Sequence, residues 1–304
     1  MKKRDFYITI IVYAVLSTAL IVSKLVWEYN LDWLMIFIIV FGGYLYVRYR
    51  LTAPIQRFNT KFNMLVDYDL DMDAAIDLCL EHIKEAPLSR MKTIYEVHLG
   101  IAYYSNGEFE RALAVFNDLD LGKLHSVYHV LVFVHQAYIY DHLGQKENFE
   151  AVLERLKNVK SSIQRRYIGY ANASERLLSA IGNINEDPEE YKQVIEVNLG
   201  QPNGFVSQRL IYHYRLAKYY EVLGQENEME IELAKVLANG KSHYTAKEAH
   251  KLFKNTVNVD DYVFTEEEFY ASPLEPEAEV VDEPEQIETT SEIDDVFDQK
   301  EDIQ

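Results

Sequence analysis

Apolar residues crowd the first fifty positions, then spread into a helical rhythm. One unbroken run extends from about Phe6 to Val26 and a second from about Leu31 to Leu51. Each is roughly 20 residues, or about 30 Å as helix, the thickness of a bilayer's hydrocarbon core. The second is purely apolar only from Trp33 to Val47 and reaches full length if Arg48 and Arg50 snorkel. A cleaved signal peptide fits poorly. The first run is too long, no Ala-x-Ala site follows, and a second run comes at once. The link Glu28-Tyr29-Asn30-Leu31-Asp32 is so short that the two spans must form an antiparallel hairpin.

Basic residues set the orientation. Lys2, Lys3 and Arg4 precede the first span, and Arg48, Arg50, Arg57 and Lys61 follow the second. The link carries Glu28 and Asp32; Lys24 alone dissents. The pattern predicts a multi-pass protein of the cell membrane with both termini cytoplasmic. Trp27, Tyr29 and Trp33 fit an outer aromatic belt, and Gly42-Gly43, Ala14, Ser17 and Thr18 allow close helix contact. No acidic residue or His lies mid-span, so no transport path is expected there. Residues 1–54 are thus read as the hairpin, 55–255 as a helical body, and 256–304 as an acidic tail.

Within the body the most informative stretch is Leu99-Gly100-Ile101-Ala102-Tyr103-Tyr104-Ser105-Asn106-Gly107-Glu108-Phe109-Glu110-Arg111-Ala112-Leu113-Ala114-Val115-Phe116. Small residues at 100 and 102 let two helices approach, Gly107 suits a helix C-cap, and Ala112 and Phe116 share one face. The stretch resembles a tetratricopeptide repeat, with Leu-Gly-x-x-Tyr on one helix and Ala-x-x-x-Phe on the next. Leu216 to Gln225 with Met229 and Leu233 is a degraded copy. Ala137 to Gln145 is another, its second helix out of strict register. Ala75, Cys79, His82 and Pro87 suit a divergent first copy, and helices near 163–182 and 187–199 a further pair. The Ala-type positions of the first two copies, Ala75 and Ala112, stand about 37 residues apart, against 34 in the family. A capping helix is expected over Thr245–Asn255. The expected fold is all-α: a transmembrane hairpin, a repeat solenoid and a disordered acidic tail.

The resemblance implies a concave groove lined by the first helix of each pair. Its positions fall on Ile94, Val97, Ile101 and Tyr104, on Leu131, Val134, Tyr138 and His142, and on Tyr214 and Lys218. Such an apolar, aromatic surface suits a peptide or helix, although many of the tyrosines are also suited to packing between helices. Some family members hold a partner's terminal carboxylate with Lys and Asn. Here Ile101, Tyr138 and Lys218 stand where Asn is needed, so that use is not expected.

Composition narrows the chemistry. The net charge is −19, which disfavours nucleic acid as a partner. The single cysteine, Cys79, permits no internal disulfide and reads as a small buried hydrophobe. His125 and His129 have metal-ligand spacing but lack a third ligand or a following Glu. No phosphate loop, nucleophile elbow or dinucleotide fingerprint is readable, so neither enzyme activity nor a cofactor is expected.

From Thr256 onward about 18 Asp and Glu face Lys300 alone, and three of the seven prolines lie there. Such a segment cannot bury enough apolar area to offset its ordering entropy. Its aromatics, Tyr262, Phe264, Phe269, Tyr270 and Phe297, could dock, and the tail is expected to fold back near Arg165, Arg166, Arg209 and Arg215. The functional expectation is a membrane-anchored scaffold or adaptor binding protein or peptide partners, with self-association open. The alternatives are a peptide-sensing regulatory receptor and a metal-dependent enzyme.

Overall fold

The computed structural model describes residues 3–27, 33–200 and 205–265. All regular structure among them is helical. The described residues divide into two compact units, one within residues 3–61 and 81–92, the other within 62–80 and 93–265. The acidic tail beyond Thr265, including its expected fold-back, lies outside the described residues.

In the first unit, α1 spans Lys3–Trp27 and α2 spans Trp33–Asn63. Both are long and apolar enough to cross a membrane, with mean hydropathy of 2.1 for Tyr7–Val26 and 1.5 for the longer stretch beginning at Trp33. No residue of the first stretch is buried. Val15, Leu16, Leu34 and Phe37 expose their side chains to the surroundings, as lipid-facing positions would. The two helices touch where small residues permit. A Cβ on Gly43 would lie 2.9 Å from the Tyr13 ring, whose hydroxyl donates to the Val40 carbonyl at 3.1 Å. Gly42 has no such neighbour.

Helix α2 does not stop at the expected boundary. It runs through Pro54 to Asn63. Proline deletes one backbone donor, but Ile55, Phe58 and Phe62 follow at helical spacing and all three are buried. That apolar stripe continues the helix past the residue that, in isolation, marks a break.

The second unit is built of helix pairs. A π-helical turn, Met64–Asp69, leads into α3, Met72–Glu85. Then come α4 Ser89–Ser105 with α5 Phe109–Asp118, α6 Ser126–His142 with α7 Lys146–Lys160, α8 Ile168–Gly182 with α9 Pro188–Leu199, and α10 Val206–Leu223 with α11 Glu226–Asn239. From α6 to α11 each helix packs on the next in the chain.

Three of the pairs turn in the same way. Gly107, Gly144 and Gly224 all have positive φ, 77°, 66° and 69°. In each, the glycine N–H bonds a carbonyl three residues back and the next N–H bonds one five back: Glu108 to Tyr103 at 2.8 Å, Gln145 to Tyr140 at 2.8 Å, Gln225 to Tyr220 at 2.9 Å. This Schellman closure satisfies orphan carbonyls that a Cβ-bearing residue would strain to reach. The pair α8/α9 lacks it and relies instead on Asp187, whose side chain accepts from the Glu190 N–H at 2.9 Å, with Pro188 at the first helical position.

Within α4 the reason for glycine is space rather than φ. A Cβ on Gly100 would lie 2.4 Å from the Phe116 ring. Gly100→Ala is expected to cost about 2 kcal/mol by overpacking. Urea unfolding of the detergent-solubilised chain would measure it, and Phe116→Leu should restore most of the loss in the double variant.

The end of the body extends further than expected. The last helix, α12, spans Tyr244–Leu252, and its first turns face inward: Tyr244, Thr245, Ala246 and Ala249 are buried. Lys247, His250 and Lys251 stay exposed on its other side, the amphipathic arrangement expected of a capping helix. The chain also stays ordered against α11 beyond Thr256. Glu230, itself buried, accepts from the N–H groups of Lys254 at 2.7 Å and Thr256 at 3.2 Å. Asn239 bonds the Tyr262 carbonyl and the Phe264 N–H at 3.0 and 2.9 Å. The body therefore reaches Thr265.

Candidate functional site

Tyr244 sits at the middle of the second unit. Its hydroxyl accepts from that of Tyr104 at 2.7 Å. The rings of Tyr104, His142, Phe109 and Tyr214 surround it at 4.7 to 6.4 Å between centroids. The loop before α12 reaches back to the start of the unit: Ser242 donates to the Leu70 carbonyl and Lys241 to that of Asp69, both at 2.8 Å. Lys247 bonds the Asn106 carbonyl at 2.6 Å. The last helix thus fills the face that the first helices present.

This corrects the expected open groove. Ile94, Val97, Tyr104, Val134 and Tyr214 are buried, and Ile101, Leu131, Tyr138, His142 and Lys218 are half-buried. The aromatic positions do converge, but on Tyr244 rather than on solvent. A helical stripe of Tyr, Val and Ile serves an intrachain helix as well as a foreign one, so the pattern alone cannot separate them.

Beside α12 a cleft of about 250 Å³ remains open. Its charged side chains are Arg215 and Lys218 on α10, Asp141 and His142 at the end of α6, and Glu248 and Lys251 on α12. The rest of its lining is Ile181, Ile184, Tyr191, Tyr214 and Leu252. Helical spacing does the placing. Positions 214, 215 and 218 share one side of α10, as 248, 251 and 252 do on α12.

Arg215 is the deepest charge in the cleft, 6% exposed. Its Nη1 donates to Asp141 Oδ2 at 2.8 Å, and the Tyr138 ring lies 5.6 Å from the guanidinium. The Tyr191 hydroxyl donates to the Arg215 carbonyl at 3.0 Å, fixing that turn of α10. Nε is buried without a hydrogen-bond partner among the described residues. Burial opposes the guanidinium's charge, but Asp141 foremost and the surrounding tyrosines hold its pKa well above the ordinary value. Burial in turn pushes the hydroxyls of Tyr104, Tyr138 and Tyr214 up, and Arg215 partly offsets this. His142 Nε2 lies 3.4 Å from Glu248 Oε2. Burial lowers its pKa more than Glu248 raises it, so at neutral pH the ring is uncharged. The lining then carries three cations and two carboxylates, a local excess of +1 in a chain of −19.

Arg215 was expected among surface cations near Arg165, Arg166 and Arg209. It is instead buried and paired. No sequence signal marked it, nor Tyr191, Glu248 and Lys251. An arginine inside a helical pattern normally faces solvent, and only the return of α12 makes these residues neighbours. The pair His125 and His129 serves local structure. His125 Nδ1 accepts from the Val127 N–H at the start of α6, and His129 Nε2 donates to the Leu121 carbonyl at 2.8 Å. Among the described residues no group of three His, Cys, Asp or Glu converges as metal ligands would. Cys79 is fully buried, and burial pushes its thiol pKa up, away from the reactive thiolate.

No known protein family, curated protein sequence or solved structure matches the chain.

Proposed function

We propose that this chain is a membrane-anchored adaptor: a two-span hairpin with cytoplasmic ends holds a tetratricopeptide-like helical body beside the bilayer, where it binds a protein or peptide. The observation that carries the reading is α2. One continuous helix bears an apolar stretch of membrane-crossing character at its start and a buried amphipathic stripe, Ile55, Phe58 and Phe62, at its end. An anchored chain is confined to one membrane surface. Confinement to a surface raises effective concentration without any new contact. The basic flanks of both spans support the cytoplasmic placement. Because α12 fills the inner face, partner binding is assigned to the cleft around Arg215 and its rim.

The single, buried cysteine makes the test direct. In intact cells, Glu28→Cys should react with an impermeant maleimide, and Lys2→Cys only after permeabilisation. The full chain should also remain in the membrane pellet after an alkaline wash. Reversed labelling, or release by alkali, would remove the anchored reading. A photoreactive residue at Lys251 should crosslink a protein in cells; crosslinks confined to lipid and to the chain itself would remove the adaptor reading. The small volume of the cleft favours the receptor for a short peptide as the second reading. It predicts a saturable small ligand and no crosslinked protein.

A further inference from the structure

We infer that one end of the helical body, marked by Arg165, Arg166, Ile168, Val197 and Phe205, rests against an anionic lipid surface. From α6 to α11 consecutive helices pack on one another and are joined by short links, so they alternate in direction. The starts of α6, α8 and α10 therefore share one end with the finishes of α7, α9 and α11. The starts of α7, α9 and α11 share the other.

The two ends differ in charge. Every helix that starts at the second end has carboxylates in its first turn: Glu147 in α7, Glu189 and Glu190 in α9, Glu226 and Glu228 in α11. Those that start at the first end, α6, α8 and α10, have none. From Arg155 to Arg176 six cations stand against Glu175 alone, in a chain of −19. Lys157 and Lys160 lie in the last turn of α7, where cations complement the helix dipole, and they pair with Glu154 and Glu175. Arg165 and Arg166 have no such explanation. Both are exposed and precede the N-terminus of α8, the positive end of its dipole, where a cation is disfavoured. An external array of anions turns that cost into a gain. Asp118, Asp120 and Glu196 also stand at this end; Asp120 pairs with Lys123 at 3.1 Å and Glu196 with Lys192 at 4.0 Å.

Exposed apolar side chains lie there too. Ile168 is 38% exposed at the start of α8, Val197 61% near the finish of α9, and Phe205 41% just before α10, its ring edge-on to Tyr68 at 5.4 Å. These features are spread over the tips of three helices rather than gathered in a groove. Cations interleaved with apolar side chains across such a breadth fit a plane of headgroups better than a peptide. The cytoplasmic leaflet is anionic and attracts clustered basic residues. The inference rests on the anchored reading only for nearness to that leaflet. The Arg215 cleft lies toward the opposite end, with His142 at the finish of α6 and Leu252 at that of α12, so contact with lipid leaves it uncovered.

The test places a nitrobenzoxadiazole label on Ile168→Cys or, at the opposite end, on Glu147→Cys; the buried Cys79 stays unlabelled. The full chain is reconstituted in vesicles of phosphatidylcholine, with or without phosphatidylserine, that carry a nitroxide-labelled lipid. With phosphatidylserine at low salt, quenching at 168 should exceed that at 147 roughly twofold or more, and the excess should shrink in phosphatidylcholine alone and at high salt. Arg165→Glu combined with Arg166→Glu should abolish the excess without lowering the urea midpoint, because carboxylates are favoured at a helix N-terminus. Equal quenching at both positions, or quenching indifferent to lipid charge, would overturn the inference. So would a label at 168 that is shielded from water but not quenched, since protein, the acidic tail included, would then cover this end. Release of the chain by alkali removes the anchored reading whatever the label shows; a retained chain with equal quenching removes only the lipid contact.

Discussion

Tyr244→Ala is expected to be the most damaging single substitution in the body, lowering stability by about 4 kcal/mol. Removing a fully buried large aromatic side chain costs roughly 3–5 kcal/mol, because the space it filled cannot fully collapse. Tyr244 is 1% exposed and ringed by Tyr104, Phe109, His142 and Tyr214. The Tyr104 hydroxyl would also lose its partner, at about 1–3 kcal/mol for a buried donor left unsatisfied. Partial relaxation keeps the two losses from adding in full. Tyr244→Phe separates them: it keeps the packing and forfeits only the hydroxyl pair, so about 1–2 kcal/mol is expected. Urea midpoints of the full chain in detergent, followed by far-ultraviolet circular dichroism, would measure both. An alanine variant within 1 kcal/mol of the parent would mean that α12 does not hold the inner face.

The second large effect is acid sensitivity. Burial holds His98 and His135 down at about 4 and His243 at about 3. In the unfolded chain each titrates near 6.5. Between those values the unfolded state binds the extra protons, so stability is full above pH 6.5 and falls as pH drops toward 4. Three such groups together amount to several kcal/mol, enough to unfold an ordinary domain. Glu232, whose pKa is lowered against the pull of burial by its bond to His213, adds to the loss. Asp67, raised by burial, works in the opposite direction.

The three histidines differ in consequence. His98 and His135 use Nδ1 to donate to the carbonyls of Ile94 and Leu131 at 2.8 and 2.7 Å, so protonation charges them without breaking those bonds. His243 Nδ1 accepts from the Thr245 N–H at the start of α12, and a proton there abolishes the cap. His243→Asn keeps an acceptor that does not titrate. It should shift the acid midpoint downward, by more than His98→Asn does. A chain equally stable at pH 7 and pH 5 would contradict the expectation.

What the sequence made legible was local. Two apolar runs of membrane length, a rhythm of helices, and Gly107 as a helix cap all follow from period and backbone sterics acting over a few residues. The fourth pair was expected near 163–182 and 187–199 although no repeat signature stands there. The hairpin was expected to end at residue 54, and α2 runs on to Asn63 because Ile55, Phe58 and Phe62 bury an apolar stripe. The site was half legible. Tyr104, Tyr138, His142, Tyr214 and Lys218 were singled out from their positions on first helices, and four of them surround Tyr244 or the cleft. Their burial was not visible, since nothing in Tyr244-Thr245-Ala246-Lys247 says that this short helix turns inward. Arg215, the residue on which the cleft depends, looked like any other surface cation.

The link between Tyr104 and Tyr244, 140 residues apart, and that between Ser242 and Leu70, 172 apart, have a bearing on how the chain is made. Helical hairpins close short loops and form quickly, whereas contacts spanning so many residues are entropically late. Synthesis proceeds from the amino end and domains form as they emerge, so the hairpins stand assembled before the segment that seals them exists. During that interval the rings of Tyr104, Phe109, His142 and Tyr214 lack their cover. A product that ends before residue 240 would keep those rings uncovered for good, and premature termination should yield clumped protein at the membrane rather than a shorter working one.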